Sequence, residues 1–372
     1  MRFIFTCGGT AGHVNPAIAV AGRLKELVGD CEILFIGASG KMEMQLVPRE
    51  GYEIKELKIT NISREHSLKG AAHNAKTVIN TIRSLGRAKQ IIKDFRPDAV
   101  IGTGGYVCYP VLKAAAEMHI PTAVHESNAL PGLTTKLLER DVDSVMVGFE
   151  ESRSHYSDPS KVAVTGTPVR GAFDAYTQMS AKRELGIPET TPLVVSVWGS
   201  LGSGHMNGVV TNMIPLMKDD APFRLIHSAG SAYFRQVSEK LAQIAPNCAD
   251  YGADVREYIY DMPRVMSAAD LVLCRAGASS LAELAYIGKP AVIVPSPNVT
   301  NNHQEKNARV LERAGGAKVL LEGEFDERSL YDTICRLLGD KDALAAMSGA
   351  MRSLAVPDAT DRICGIILDM LR

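Results

Sequence analysis

The apolar residues of this chain gather in short, nearly continuous runs. Phe3-Ile4-Phe5, Ala99-Val100-Ile101, Leu193-Val194-Val195-Ser196-Val197 and Leu271-Val272-Leu273 are the clearest. Between the runs, apolar and polar positions recur at helical spacing. A run without polar alternation predicts a strand buried on both faces, and a helical interval predicts the crossover that covers it. In the first half the pattern predicts strands over 2–7, 32–37, 99–102, 122–125 and 144–147, with helices over 17–27, 76–95 and 109–118. The second half repeats the alternation, with strands over 193–197, 224–228, 254–258, 271–273, 291–294 and 317–320. A helix over 280–286 ends at Gly288-Lys289-Pro290, a sound stop signal, and the segment 361–371 predicts a last helix. The expected fold class is α/β, with two Rossmann-like domains facing one cleft.

Four of the predicted strands are followed by glycine turns. These read Gly8-Gly9-Thr10-Ala11-Gly12-His13, Gly102-Thr103-Gly104-Gly105, Gly199-Ser200-Leu201-Gly202 and Gly277-Ala278-Ser279-Ser280. A strand, a tight turn and a helix leave backbone N–H groups at a helix N-terminus, where the helix dipole favours a phosphate or another oxyanion. The first turn is not the dinucleotide fingerprint: its spacing is G-G-x-x-G-H, and no acidic residue stands where a ribose contact of that type belongs.

At 372 residues the chain is long for one domain. Pattern is lost after 161–170, which contains Gly166 and Pro168, and this stretch predicts a hinge. The expected division is an N-terminal domain over 1–163, a second domain over 164–345, and a helical segment over 346–372 that crosses back to the first. A formal net charge of −1 argues against nucleic acid as a partner. Seven dispersed cysteines, with no C-x-x-C pair and no zinc spacing, predict reduced thiols and no metal. Cys7 and Cys274, at strand ends, read as small core hydrophobes. The start of the chain reads as a strand rather than a signal peptide, and no window approaches the ~18 apolar residues of a membrane span.

Several polar clusters sit where such a fold places its ligands. His13 falls at the start of the first helix, at the carboxyl end of the first strand, either as a structural cap or as a neutral imidazole that takes a proton from a substrate hydroxyl. His125-Glu126-Ser127-Asn128 follows a strand and is either a hydrogen-bonded turn capping the next helix or a polar cluster that binds sugar hydroxyls or supports a base. Ser280 and Glu283 have the spacing of a capping box. Alternatively the N–H groups of Ala278, Ser279, Ser280 and Leu281 hold a diphosphate while Glu283 chelates the two hydroxyls of a ribose. Asn301-Asn302-His303-Gln304 is rich in amide donors. Between Lys69 and Arg96 the charges are one-sided: Lys69, Lys76, Arg83, Arg87, Lys89, Lys93 and Arg96 face Asp94 alone, with apolar residues interleaved. That is either a solvated basic face or a patch for anionic lipid headgroups.

Together the motifs resemble the MurG family of peptidoglycan N-acetylglucosaminyltransferases. The matching segments are GGTAGHVNP from Gly8, GTGGYV from Gly102, HESNALPG from His125, TGTPVR from Thr165, GSLG from Gly199, CRAGASSLAE from Cys274 and NHQEKNA from Asn302. They occur in family order across nearly the whole chain. The resemblance implies a glycosyltransferase B fold and inverting transfer of GlcNAc from UDP-GlcNAc to the C4 hydroxyl of undecaprenyl-pyrophosphoryl-MurNAc-pentapeptide, lipid I to lipid II. It places Arg170, Ser200 and the residues Ala278, Ser279, Ser280 and Leu281 on the donor diphosphate, and the backbone of Ile259 on uracil. Glu283 goes to the ribose and Gln304 to the GlcNAc hydroxyls. Thr10, Ala11, Gly12 and Asn128 approach the sugar from the other domain, and His13 and Glu126 assist the acceptor hydroxyl.

No cofactor and no metal are expected, and no D-x-D motif is present for a metal-bridged diphosphate. The implied location is the cytoplasmic face of the cell membrane, held peripherally on an anionic surface, with other cell-wall synthesis proteins as further partners. The alternatives are another glycolipid glycosyltransferase, a UDP-GlcNAc 2-epimerase of the same fold, or a non-catalytic sugar-nucleotide-binding protein. The chain departs from the family pattern at Ala11 for Gly, Ser127 for Gln, Thr167 for Asn, and Trp198 and Leu201 for Gly and Gln.

Overall fold

The computed structural model describes residues 1–59, 68–199, 201–218, 222–299 and 302–372, with 68–76, 78 and 79 described by their backbone alone. Two compact units make up the chain, one of Met1–Arg170 with Val356–Arg372, the other of Gly171–Ala355. In the first, the chain runs β1 (Arg2–Thr6), α1 (Ala11–Val28), β2 (Glu32–Ala38), α2 (Glu43–Arg49), β3 (Glu53–Leu57), α3 (Leu68–Phe95), β4 (Ala99–Gly102), α4 (Cys108–Glu117), β5 (Thr122–Glu126), α5 (Leu133–Leu138), β6 (Ser144–Val147) and β7 (Val162–Val164).

The strands form one parallel sheet in the order β3-β2-β1-β4-β5-β6-β7. Successive residues of β1 point to opposite faces, yet both faces are buried. Phe3 and Phe5 pack with Val14, Ala17 and Leu24 of α1. Ile4 packs on the other side with Val111 and Leu112 of α4. This double burial is why the sequence shows runs instead of alternation.

The second unit begins with α6 (Gln178–Glu184) and continues β8 (Leu193–Val197), α7 (Gly204–Met213), β9 (Arg224–Ser228), α8 (Phe234–Ile244), β10 (Ala253–Arg256), α9 (Met262–Ala268) and β11 (Leu271–Cys274). It ends with α10 (Ala278–Ile287), β12 (Ala291–Ile293), α11 (His303–Arg313), β13 (Ala317–Val319), α12 (Glu327–Gly339) and α13 (Lys341–Ser353). Its sheet is parallel, in the order β10-β9-β8-β11-β12-β13. Both sheets therefore start at an inner strand, grow one way, and then resume on the other side of that strand. In each, the order reverses next to the first strand, between β1 and β4 and between β8 and β11. Such a switch point leaves a crevice at the carboxyl ends of the strands.

The chain crosses back once more. α14 (Ala359–Asp369) packs Ile363, Cys364 and Ile367 into the core that holds Phe3 and Phe5, and Arg23 of α1 pairs with Asp361 at 2.6 Å. By contrast α13 stays with the second unit, where Ser348 donates to the Gly288 carbonyl at 2.7 Å. The compact units thus divide at 170 and 355, against the expected 163 and 345.

Two strands that the sequence reading does not predict complete the first sheet. β3 is an edge strand with Glu53, Lys55 and Glu56 exposed, so it lacks an apolar run, and its charges guard the open edge against further pairing. β7 lies inside the stretch read as a hinge.

Candidate active site

In the first unit β1 and β4 pair with Thr6 opposite Gly102, so their turns leave the sheet side by side. The two turns interlock. The Gly8 N–H donates to the Gly104 carbonyl at 3.2 Å. A Cβ on Gly105, which has φ +91°, would lie 2.3 Å from the Gly8 carbonyl oxygen, so only glycine fits there. α1 starts at Ala11, six residues before the helical spacing begins and two before His13, the residue read as its start, and it takes in Pro16. Thr10 is its N-cap residue and makes no side-chain cap. Ala11, as a first helical residue, needs no conformation reserved for glycine.

His13 is held against both turns. Its Nδ1 lies 2.8 Å from the Gly8 carbonyl oxygen. A carbonyl only accepts, so Nδ1 carries the proton, and in the neutral ring Nε2 holds the lone pair. The ring lies over Gly104, where a Cβ would stand 2.6 Å from Cδ2 and 2.9 Å from Nε2. Thr103 fixes the backbone beneath by donating its hydroxyl to the His13 carbonyl at 2.7 Å.

Glu126 is differently placed. Its Oε1 accepts from the backbone and side-chain amides of Asn128 at 3.0 and 2.8 Å, and its Oε2 accepts from Gly132 N and Thr135 Oγ1 at 2.8 and 2.9 Å. All four donors belong to its own loop and the start of α5. The carboxylate thus builds the loop that presents Asn128. Its neighbour His125 is buried, donating Nε2–H to the Gly166 carbonyl at 2.9 Å with Ser127 Oγ 3.3 Å from Nδ1. Burial holds its pKa below the ordinary imidazole value.

Sequence reasoning misses Glu43. It is fully buried at the first position of α2. Its Oε2 accepts from Gly9 N at 3.0 Å and its Oε1 from Ala38 N at 2.9 Å. It ties the first glycine turn to the end of β2. The available signal is an acid inside the apolar stretch Met42-Glu43-Met44-Gln45-Leu46-Val47.

In the second unit Val197 pairs opposite Cys274, which again sets two turns side by side. α10 begins at Ala278 behind Gly277, with no side-chain cap. Ser280 is therefore the third helical residue, and it does not serve as the N-cap of a capping box. Gly277 has φ −67°, and a Cβ there would meet nothing closer than Ser280 Oγ at 3.9 Å. The fold itself does not demand glycine at this place; the bare backbone leaves room beside the helix N-terminus. Ala278, Ser279 and Leu281 are buried, and Glu283 lies half-exposed one turn further along α10.

The side chain of Ile259 is 2% exposed, so this residue can offer a ligand only its backbone. Gln304, on α11, accepts from Ser296 N through Oε1 at 2.8 Å, which leaves its amide NH₂ as the group to offer a ligand. Ser200 and Asn301 lie outside the described residues.

The departures sort themselves physically. Leu201 is 63% exposed, whereas Trp198 is buried against Met206 and Val209. Thr167 is buried, and a Cβ on Gly148 would lie 2.4 Å from its Oγ1. Arg170 ends the first stretch of its unit with Nε buried and unpartnered. Cys7 and Cys274 are buried, and burial pushes both thiols up, Cys274 to about 12. Among the described residues no group of His, Cys, Asp or Glu is arranged to hold a metal.

The glycosyltransferase family 28 N-terminal domain matches residues 3–147, and the C-terminal domain of the same family matches 193–363. The UDP-N-acetylglucosamine–N-acetylmuramyl-(pentapeptide) pyrophosphoryl-undecaprenol N-acetylglucosamine transferase of Acetivibrio thermocellus is 43% identical, with 100% of this chain and 99% of the relative aligned. The chain belongs to the MurG family. A member of the same description from Listeria monocytogenes is 36% identical over 100% of both chains. Among solved structures, Acinetobacter baumannii MurG superposes with a TM-score of 0.74 at 27% identity, over 99% of each chain. A Neisseria meningitidis UDP-GlcNAc 2-epimerase gives 0.66 at 16% identity, covering 99% of this chain and 100% of its own, which shows the fold alone. Both units are Rossmann-like, as in the glycosyltransferase B fold of MurG.

Proposed function

We propose that this chain transfers GlcNAc from UDP-GlcNAc to the C4 hydroxyl of undecaprenyl-pyrophosphoryl-MurNAc-pentapeptide, converting lipid I to lipid II. The carrying observation is 43% identity along the whole chain to a relative named for this transfer. The bond from the anomeric carbon to the diphosphate breaks, the bond to the acceptor oxygen forms on the opposite face, and UDP leaves. The acceptor proton goes to Nε2 of His13, which the Gly8 hydrogen bond keeps as the basic nitrogen. Glu126 positions Asn128 instead of taking the proton, because its lone pairs are engaged by its own loop.

Charge develops on the departing diphosphate. The N-terminus of α10, at Ala278, Ser279 and Ser280, stabilises it with backbone dipoles, aided by Arg170 and Ser200, whereas the Leu281 N–H is already given to the Gly277 carbonyl at 3.0 Å and contributes only through the helix dipole. Glu283 takes the ribose, the Ile259 backbone the uracil, and the Gln304 amide the sugar. Thr10, Ala11, Gly12 and Asn128 contact the GlcNAc from the first unit. What supports the donor assignment is the pairing of a helix start whose N-cap makes no side-chain cap with a glycine that the fold does not require.

The second substrate is lipid-linked, and the enzyme meets it peripherally at the cytoplasmic face of an anionic membrane. Among the described residues no helix is long and apolar enough to cross a bilayer. On α3, Arg83, Arg87 and Lys93 are exposed along with Ile82, and on α5 Leu133 and Leu137 are exposed one turn apart. Lys89 is spent on Glu117 at 2.7 Å, and the side chains of Lys69 and Lys76 lie outside the described residues. Other cell-wall synthesis proteins are the further partners of this reading. Calorimetric titration tests the donor half. UDP is expected to bind the wild type and to bind Glu283→Ala at least about tenfold more weakly, while unchanged affinity removes Glu283 from the site.

A further inference from the structure

Arg275 stands in the turn between β11 and α10, and its side chain is only 13% exposed. Nη1 donates to the carbonyl oxygens of Val294 at 3.0 Å and Pro295 at 3.3 Å. Nη2 donates to Ser203 Oγ at 2.7 Å and to a carboxylate oxygen of Glu322, itself 14% exposed. The guanidinium carbon lies 5.8 Å from the ring centroid of Trp198, the chain's single tryptophan.

These partners have a common address. Trp198 and Ser203 follow β8, Arg275 follows β11, Val294 and Pro295 follow β12, and Glu322 follows β13. β8, β11, β12 and β13 are consecutive in the sheet. One planar fork therefore joins the carboxyl-edge turns of four neighbouring strands, across the switch point. Ser203 is also the N-cap of α7, accepting from Met206 N at 3.4 Å, so the same group fixes where the third glycine turn enters its helix. Pro295 adjoins Ser296, whose N–H is held by Gln304. A buried ion pair contributes little net stability against an apolar replacement. Its five directed donors are suited to holding geometry, which a lysine point charge does not do.

We infer that Arg275 is a positioning residue for donor binding, seated between Trp198 and Glu322, and that it sets the mutual placement of the α10 start, the α7 start and Gln304. The inference rests on the donor reading above. Its test compares the full-length wild type with Arg275→Lys and Glu322→Gln, by UDP calorimetry, thermal melting, and initial rates with UDP-GlcNAc and lipid I. Arg275→Lys is expected to raise both the Kd for UDP and the KM for UDP-GlcNAc at least about tenfold. Its kcat at saturating donor stays close to wild type. Glu322→Gln, which keeps the side-chain shape and an acceptor oxygen, shifts Kd and KM the same way by less. If Arg275→Lys does not fold, Glu322→Gln decides. A wild type that binds UDP beside folded variants with unchanged Kd and KM overturns this proposal alone. So does a fall in Tm with no change in donor affinity. A wild type that binds no UDP overturns the donor reading, and this proposal with it.

Discussion

At His13 the direction of one hydrogen bond sets the chemistry. Donation to the Gly8 carbonyl commits Nδ1 and reserves Nε2 for the acceptor proton. His13→Ala is expected to lower kcat by about 10²–10⁴, the usual worth of a general base, while the Kd for UDP stays at the wild-type value. Steady-state kinetics and calorimetry on the same preparation check this. Gly277 makes the opposite case. A Cβ there meets no neighbour, so Gly277→Ala is expected to cost the fold no more than about 1 kcal/mol at an N-cap. The same methyl crowds the proposed diphosphate, and UDP affinity is expected to fall at least about tenfold, read by calorimetry against a thermal melt. At this scale the sequence displays residue types but not partners. His13 and Gln304 are legible as polar residues after strands. For Glu126 the hydrogen-bonded turn is one of the two sequence readings, but its particular partners Gly132 and Thr135 are not legible, because they reach it only after α5 has formed. Glu43 is illegible for the same reason: its donors Gly9 and Ala38 belong to two other turns.

At the scale of elements, glycine turns work in pairs. Gly105 is the tightest point of the first pair, and Gly105→Ala combines a left-handed φ with contact against the Gly8 backbone. It is expected to destabilise the protein by about 2–4 kcal/mol, measured by urea unfolding. A loss below about 0.5 kcal/mol would contradict the interlock, being the size of an ordinary surface change. The inner strands are legible to within a residue or two, since burial on both faces forces unbroken apolar runs. β3 is not, because a solvated edge strand needs charges more than it needs valines. The start of α1 is half legible: the strand–turn–helix order puts it at His13, while the helical spacing, interrupted by Pro16, begins only at Ala17.

In the second unit an internal charge cluster gathers where β8 and β11 begin, at the opposite strand ends from the glycine turns. Asp270 pairs with Lys182 at 2.7 Å and accepts from Leu193 N and Gln178 Nε2. Lys289 donates to the Ala269 carbonyl at 2.7 Å, and burial lowers its pKa from 10.5 to about 8, with Lys182 and Arg352 adding to the fall and Asp270 opposing it. Its folded value lies below its unfolded one, so the folded chain releases this proton first. The contribution of Lys289 to stability therefore rises with pH between about 8 and 10.5 and is flat, at its lower level, below that window. The difference in unfolding free energy between wild type and Lys289→Met is expected to move in favour of wild type across this window. A difference independent of pH would contradict the assignment. The two-unit plan is legible in the repeated strand–turn–helix pattern, and the return of α14 is legible as a final amphipathic helix. That α13 stays with the second unit is not, since it depends on Ser348 meeting the end of α10.

The most direct test of the account follows the sugar. Purified protein is incubated with labelled UDP-GlcNAc and vesicles carrying lipid I, and the lipid products are separated. One GlcNAc joined to the MurNAc of lipid I, with one UDP released for each, is the predicted result. Free GlcNAc, an epimerised nucleotide, or no labelled lipid from folded protein would contradict it.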